Sequence, residues 1–326
     1  MYHPRFSITN SLVFVFFFLV VSQIFSQPRT VVPVDSVRLR QLDGKFNFII
    51  ANDFGKNGYC DQKPIAEMMG EVSGRTGVDF VAAVGDVHHF YGVQSVNDPL
   101  WLTNFELVYS HPELMIPWYP VLGNHEYRGN TSAVLSYSSV SRRWQMPARY
   151  YTKSFAVSDS SHVLLVFIDT TPLIDRYRKD SKYADANNEN IETQLKWIDE
   201  TLANSNAKWK IVLGHHPIFT GTTKADVEQI DLQRKLKPIL YKYKIDYYVC
   251  GHIHNFQHIK VADSGIDFIV NTSASQSRPV VQRDGVLFAS PESGFIVCSI
   301  DNNELKMLLV NKIGKITYQF SRRKSY

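Results

Sequence analysis

The sequence predicts an α/β fold, in which one domain contains two packed β-sheets with helices outside them. Up to about residue 250, apolar runs rich in β-branched residues alternate with segments of helical periodicity, which is typical of parallel strands joined by helices. Beyond that point the apolar runs become short and are separated by turn residues such as Asp284-Gly285 and Asn302-Asn303. We expect these later runs to form a second sheet rather than a further strand–helix–strand unit.

Residues 1–26 have the pattern of a secretory signal peptide. Arg5 supplies a short basic region, residues 12–21 form an unbroken apolar run, and the residues up to Gln27 permit cleavage after Ser26. The run is shorter than the roughly 20 apolar residues that span a bilayer. We therefore expect an exported protein, periplasmic or secreted, whose single domain covers residues 27–326. The alternative is an uncleaved N-terminal anchor, and no other run is long enough to cross a membrane.

The composition allows one large domain with a full core, since 44% of the 326 residues are hydrophobic and 13% are aromatic. The formal net charge is +4 and no basic run exceeds a few residues, so no nucleic-acid partner is indicated. The three cysteines cannot all pair within one chain. Cys250 and Cys298 lie in apolar runs, where we expect buried thiols.

Strands are predicted where apolar runs end abruptly at polar residues or glycine. In order, these runs cover residues 45–53, 79–84, 117–122, 162–169, 209–213 and 245–250, followed by shorter runs near 257–262, 266–272, 285–288, 294–300, 304–311 and 315–320. Helices are predicted over residues 64–76, 191–202 and 232–243, and within 93–111. In the first helix, Ile65, Met69 and Val72 share one face, and we expect that face to pack in the core.

Clusters of carboxylate, amide and imidazole side chains follow five of the predicted strands. They are Asp53; Asp86 with His88 and His89; Asn124 with His125; His215 with His216; and His252 with His254. In α/β sheets, ligands bind beyond the carboxyl ends of the strands, which is where these clusters stand. A single histidine after a strand is more often structural than a ligand, but five such clusters at successive strand ends indicate a shared site.

The donor types indicate metal binding, because carboxylate, carboxamide and imidazole groups without thiolate suit ions such as Fe, Zn or Mn. Two ions about 3.5–4 Å apart can hold a phosphate, supply a hydroxide at neutral pH and stabilise a leaving oxygen. Our hypothesis is that Asp86 bridges two such ions. We interpret His125 as a general acid beside them, with the carboxylate of Glu126 available to orient its ring.

The order of these motifs closely resembles that of the calcineurin-like metallophosphoesterase family and, more narrowly, that of the purple or tartrate-resistant acid phosphatases. The motifs are Asp53, Gly85-Asp86, Gly123-Asn124-His125-Glu126, Gly214-His215 and Gly251-His252-Ile253-His254. The resemblance runs from about Asn47 through the C-terminal strands. It implies a four-layer sandwich of two mixed sheets flanked by helices, and a hydrolase that acts on a small phosphorylated substrate.

The resemblance also implies a role for each matching residue. Asp53, Asp86 and His254 would bind one metal ion. Asp86 would bridge to a second ion, which Asn124, His215 and His252 would hold. A metal-bound hydroxide would attack phosphorus, and His125 would protonate the leaving oxygen.

The sequence departs from the purple acid phosphatase pattern at His89, where that family has a tyrosine that ligates ferric iron. We expect His89 to be a metal ligand. A neutral imidazole, however, stabilises a trivalent ion less well than tyrosinate does. We therefore expect a centre that is not purple and that holds two divalent ions. The alternative is that His89 packs elsewhere and a water molecule takes its place.

A second departure follows the Gly-His-x-Pro motif, where the family carries a histidine on the substrate side. Residues 219–227 offer only Thr220, Thr222, Thr223 and Lys224 in its place. Substrate contacts and the pH optimum are therefore expected to differ from those of acid phosphatases. We expect His88 and His216 to line the substrate pocket or to support the ligands.

The expected function is that of an exported dinuclear-metal phosphatase which hydrolyses phosphate monoesters. A phosphodiesterase or nucleotide hydrolase that uses the same site is one alternative. An inactive binding protein that keeps the fold is another.

Overall fold

The computed structural model describes residues 35–159, 161–222, 226–262, 264–281 and 284–324. The predicted signal peptide lies outside the described residues, and so do Thr223 and Lys224. Within these ranges, no helix combines the length and the apolar character that crossing a membrane requires.

The strands follow the apolar runs of the sequence closely. They are β1 (Phe46–Ala51), β2 (Val78–Val84), β3 (Trp118–Val121), β4 (Tyr151–Ser158), β5 (Ser161–Phe167), β6 (Trp209–Leu213), β7 (Tyr247–Cys250), β8 (Phe256–Lys260), β9 (Asp267–Val270), β10 (Val286–Ser290), β11 (Gly294–Ile300), β12 (Glu304–Asn311) and β13 (Ile316–Arg323). The α-helices of the described chain are α1 (Ser36–Leu39), α2 (Gln62–Thr76), α3 (Thr131–Ser136), α4 (Asp175–Lys179), α5 (Ala184–Asn188), α6 (Ile191–Ala203), α7 (Asp226–Lys235) and α8 (Lys237–Lys242).

The strands form two mixed sheets. The six-stranded sheet has the order β13-β12-β11-β1-β2-β3, and the seven-stranded sheet has the order β10-β8-β9-β7-β6-β5-β4. In the first sheet β1, β2 and β3 are parallel, and in the second β5, β6, β7 and β9 are parallel. Two mixed sheets flanked by helices confirm the predicted fold class.

The C-terminal strands do not form a sheet of their own, so that part of the prediction was wrong. β8, β9 and β10 extend the seven-stranded sheet, whereas β11, β12 and β13 complete the six-stranded one. β11 is buried along its whole length and pairs antiparallel with β1, with Phe48 opposite Cys298. A strand that is apolar on both faces is most stable in the interior of a sheet, and β11 takes such a place.

The core contains the residues that the sequence patterns placed there. Ile65, Met69 and Val72 of α2 are buried, and so are the thiols of Cys250 and Cys298. Phe48 and Phe80 stack with ring centroids 4.7 Å apart, which joins β1 to β2 beneath the site.

Two predicted helices differ from the structure. Within residues 93–111 the chain makes only a short π-helical segment, Leu102–Glu106, beside Trp101, whose ring stacks on Tyr137 at 3.5 Å. The helix predicted over residues 232–243 divides into α7 and α8 at Pro238. Proline lacks a backbone N–H and clashes with the preceding turn, so it begins a helix rather than continuing one. Strand β4 was not predicted.

Candidate metal centre

The predicted metal ligands lie together where strands from both sheets end. Asp53, Asp86 with His89, and Asn124 follow β1, β2 and β3 of the six-stranded sheet. His215 follows β6 of the other sheet, and His252 and His254 follow β7. The backbone N–H of His252 donates to Oδ2 of Asp53 over 2.9 Å, which connects the two groups directly. The site therefore lies between two sheets and not at the edge of one.

The backbone at the site is held in an unusual conformation. Asp53 and Asp86 both have φ of 53°, and His252 and His254 have φ of 71° and 64°. Left-handed conformations in residues other than glycine cost about 1–3 kcal/mol each and cluster at functional sites. Gly85 also has positive φ, and a Cβ atom there would overlap the His215 ring. The close approach of the two sheets therefore requires glycine at that position.

Asp86 is the centre of the cluster. Its Oδ2 atom lies 3.2 Å from Nε2 of His215, 3.5 Å from Nε2 of His89 and 3.8 Å from Nε2 of His125. Burial raises the pKa of Asp86, but these imidazoles, His215 foremost, hold it well below its ordinary value. Burial likewise disfavours charge on His215, yet Asp86 raises its pKa to about 10. A metal ion that binds this pair would therefore displace a proton.

Asp53 is the second buried carboxylate of the site. Its Oδ1 atom lies 3.1 Å from Nε2 of His254, and Oδ2 accepts the amide of Asn52 over 2.6 Å. Burial raises the pKa of Asp53, but the charge and hydrogen bond of His254 bring it below its ordinary value. Both carboxylates are therefore ionised at neutral pH.

Apart from the carboxylate–imidazole contacts given above, several buried metal-donor atoms at the site have no hydrogen-bond partner among the described residues. They are Oδ1 of Asp53, Nε2 of His89, Oδ1 of Asn124 and Nε2 of His215. Leaving a buried polar atom unsatisfied costs about 1–3 kcal/mol, so a cluster of such atoms fits cations better than it fits an empty core. Potential ligand atoms lie within 4.8 Å of one another in four overlapping groups: Asp53, His89 and His254; Asp53, Asp86 and His215; Asp86, His89 and His125; and His215, His216 and His252.

The ring nitrogens that face away from the site are anchored on backbone carbonyls. Nδ1 of His215 donates to the carbonyl of Val84 over 2.9 Å, and Nδ1 of His254 donates to that of Gln276 over 2.7 Å. This arrangement fixes the tautomer and leaves the Nε2 lone pair to bind a metal ion.

His89 lies inside this cluster. Its ring centroid is 4.2 Å from that of His125 and 5.6 Å from that of His254. Burial lowers the pKa of His89 to about 3, so the imidazole is neutral and its lone pair is available. The chain thus brings His89 within reach of an ion held by Asp53 and His254, and its role as a ligand stays a prediction.

Glu126 does not orient His125, which corrects the sequence interpretation. Its buried carboxylate accepts four backbone N–H groups, those of Asp86, Val87, His88 and Gly123. Burial raises the pKa of Glu126 to about 7, and the charge of Asp86 adds to this effect. Glu126 therefore positions the turn that carries Asp86.

His125 is held by other groups. Its Nδ1 atom bonds the carbonyl of Phe90 over 2.8 Å, and Nη1 of Arg128 lies 3.4 Å from the same nitrogen. Neighbours in the sequence point in different directions where a strand ends in a turn, which is why Glu126 and His125 separate.

His88 does not line a substrate pocket, in contrast to the prediction. Its ring is fully buried, packs edge-on against Trp101 at 4.4 Å and lies 3.4 Å from the amide of Asn104. His216 is also fully buried, so it does not line an open pocket either. Its two ring nitrogens bond Thr170 and Tyr177, at 2.9 and 3.3 Å.

His216 supports a proposed ligand instead, because its ring lies 4.5 Å from that of His252.

One residue of this region was missed by the sequence analysis. Oε2 of Glu228 lies 3.0 Å from Nε2 of His252. Glu228 belongs to α7, outside the helix predicted over residues 232–243, and no motif marked it.

The fold and the cluster of candidate cation ligands are those of a metal-dependent phosphoesterase. Residues 46–256 match the family model described as calcineurin-like phosphoesterase, and the chain belongs to that family. The recognition made from the sequence motifs is thereby confirmed.

The similar proteins carry more specific names. Purple acid phosphatase 3 of Arabidopsis thaliana is 32% identical over 294 residues, which cover 86% of this chain and 78% of that protein. Tartrate-resistant acid phosphatase type 5 of Rattus norvegicus is 31% identical over 264 residues, covering 75% and 79%. The protein is thus a metal-dependent phosphoric ester hydrolase, and its family implies a dinuclear metal centre.

Solved structures show the same fold. GAP50 of Plasmodium superposes with a TM-score of 0.73 at 25% identity, over 86% of this chain and 90% of that one. The purple acid phosphatase PPD1 of Lupinus luteus superposes with a TM-score of 0.62 at 16% identity, over 87% of this chain and 55% of that one.

Proposed function

We propose that this protein is an exported phosphatase that hydrolyses phosphate monoesters at two divalent metal ions. The observation that carries the proposal is the position of His125. Its side chain is 13% exposed, while those of Asp86 and His215 are 2% and 0% exposed. A substrate that approaches the buried donors would therefore meet His125 at the entrance.

The chain's own groups divide the work in the following way. Asp53, Asp86, His89 and His254 would hold one ion, and Asp86, Asn124, His215 and His252 would hold the other. Bound ions of this kind neutralise phosphate charge and activate a water molecule. The Nδ1–H of His125 donates to Phe90, so Nε2 is the atom that releases a proton to the leaving oxygen.

The proposed metals are two divalent ions chosen among Fe, Zn and Mn. The donor set supports this choice, because it combines carboxylates, an amide and imidazoles without thiolate. His89 contributes no negative charge, so it stabilises a ferric ion less well than a tyrosinate ligand would.

Export rests on the signal-peptide pattern of residues 1–26. Recovery of the chain from periplasm or medium with Gln27 at its N-terminus would support it, and a cell-bound chain that keeps Met1 would not.

A non-enzymatic role is the second candidate, and one similarity favours it. GAP50 is described as the anchor in the inner membrane complex of Plasmodium, so a chain of this fold can serve as an attachment point. The donor atoms of Asp53, Asp86 and His215, together with the partly exposed side chain of His125, support hydrolysis instead.

The test compares turnover of p-nitrophenyl phosphate with turnover of bis(p-nitrophenyl) phosphate by the purified, metal-loaded protein. We expect a higher kcat/KM for the monoester. A higher value for the diester would establish the phosphodiesterase alternative. Fewer than one metal ion per chain, with no hydrolysis after addition of Fe, Zn or Mn, would establish the binding protein.

A further inference from the structure

The proposed ligand His252 is anchored differently from the other histidines of the site. In His215 and His254, the nitrogen that faces away from the site bonds a backbone carbonyl. In His252, Nε2 instead lies 3.0 Å from Oε2 of Glu228, a side chain on α7. This ligand alone among the three therefore depends on a group that a single substitution can remove.

Glu228 is buried in a way that a surface ion pair does not explain. It is 2% exposed, whereas the side chain of its nearest cation, Arg176, is 51% exposed, with Nη1 at 3.1 Å from Oε1. The Tyr177 hydroxyl donates to the same oxygen over 2.7 Å. Oε1 is therefore satisfied by these two residues. Among the described residues, the one polar group that contacts Oε2 is the imidazole of His252.

Burying a carboxylate destabilises the fold unless a partner compensates the charge. Since Arg176 is half exposed and engages the other oxygen, the compensation on the inner side comes from His252. A histidine that contacts a carboxylate through Nε2 can bind a metal ion only through Nδ1. The carboxylate also makes the imidazole a stronger donor, as in other carboxylate–histidine–metal arrangements.

We propose that Glu228 is a positioning residue for the second metal ion: it fixes the ring of His252 so that Nδ1 binds the ion. The inference rests on the metal centre of the proposed function but not on its substrate. In this arrangement, α7 acts on the metal site through the ring of His252.

The test measures metal affinity by chelator competition, together with the metal content of each variant by elemental analysis. Glu228→Gln keeps the shape of the side chain and removes its charge. We expect one of the two ions to bind about 10–100-fold more weakly, with full occupancy recovered at saturating metal, while the other ion keeps its affinity. With cobalt as the probe ion, the visible spectrum of one site should change.

Asp231→Asn is the matched control, since Asp231 lies on the same helix but pairs with Arg234. It should retain both ions at the affinity of the unmodified protein. If Glu228→Gln fails to fold, Tyr177→Phe removes the hydrogen bond to Oε1 of Glu228, together with the contact to Nε2 of His216, and should weaken binding of the same ion by a smaller factor.

Two results would overturn the proposal. One is unchanged affinity for both ions in Glu228→Gln, or in Tyr177→Phe where that variant replaces it. The other is loss of an ion even at saturating metal, which would make Glu228 a ligand rather than a positioning residue. Neither depends on turnover, so failure of the proposed phosphatase activity would be seen separately, in the p-nitrophenyl phosphate assay.

Discussion

Oδ2 of Asp86 lies 3.2 Å from Nε2 of His215, although the two residues follow strands of different sheets. Asp86 follows β2 of the six-stranded sheet, and His215 follows β6 of the seven-stranded one. An ion held by both side chains would therefore connect the two sheets.

Removal of metal should lower the thermal stability of the protein. A ligand that binds only the folded state stabilises it, by about 2.7 kcal/mol when its concentration is 100 times Kd. We expect a lower Tm in the presence of a chelator, measured by differential scanning calorimetry, and recovery when the divalent ion is restored. An identical Tm with and without chelator would show that no ion connects the sheets.

Asp86→Asn should lose both ions together. The substitution removes the negative charge that faces His215, His89 and His125. Elemental analysis after gel filtration should find less than one ion per chain, and the chelator should no longer shift the Tm. Retention of two ions would refute the bridging role of Asp86.

His125→Ala should lower kcat by roughly 10²–10⁴ while both ions remain bound, as expected for the loss of a general acid. The assay is turnover of p-nitrophenyl phosphate, with metal content determined on the same sample. His162→Ala, at an exposed position on β5, is the matched control and should behave like the unmodified protein. A fall in metal content with His125→Ala would instead identify His125 as a ligand.

His89→Tyr should give the iron-loaded protein a visible absorption band that the unmodified protein lacks. The phenolate would stand within the group formed by Asp53 and His254, where it can ligate ferric iron. His89→Phe supplies a ring without the oxygen and should stay colourless. A colourless His89→Tyr variant that contains iron would place residue 89 outside the coordination sphere.

Asp169 should make the folded state less stable as the pH rises. Burial raises its pKa to about 7 against an ordinary value of 3.8, and the contacts with Tyr127 and Arg149 only partly oppose this. The folded state therefore keeps a proton that the unfolded chain releases, so the free energy of unfolding falls between about pH 4 and pH 7.

Asp169→Asn should remove this part of the pH dependence. Urea unfolding at pH 5 and pH 8 should show a smaller loss of stability in Asp169→Asn than in the unmodified protein. The exposed Asp43→Asn serves as the control and should keep the full loss. Equal losses in all three proteins would mean that Asp169 titrates near its ordinary value in the fold.

The sequence identified the proposed metal ligands because each stands where an apolar strand stops. Asp53 and Asp86 are recognisable in this way, since strand ends and glycine turns are local features. The side chains that hold each proposed ligand in place cannot be recognised from the neighbouring sequence. The carboxylate of Glu228 is adjacent to His252 only in the folded chain, and Glu126 turns away from its neighbour His125 toward the amides of the Asp86 turn.

The assignment of strands to sheets could not be read locally either. The alternation and length of a run indicate a strand, but the choice of neighbour depends on burial on both faces. β11 pairs with β1 because it is apolar on both sides, and nothing within residues 294–300 distinguishes that pairing from one with β10.

The pairing of β11 with β1 has a consequence for shortened forms of the protein. A chain truncated after His254 would retain every proposed ligand, yet β1, which carries Asp53 at its end, would lose its neighbour on one side. Its unpaired backbone groups would then be open to other chains, and exposed apolar strand edges promote aggregation. The carboxyl-terminal strands, which hold no proposed ligand, are thus as necessary to the folded chain as the residues proposed to bind ions.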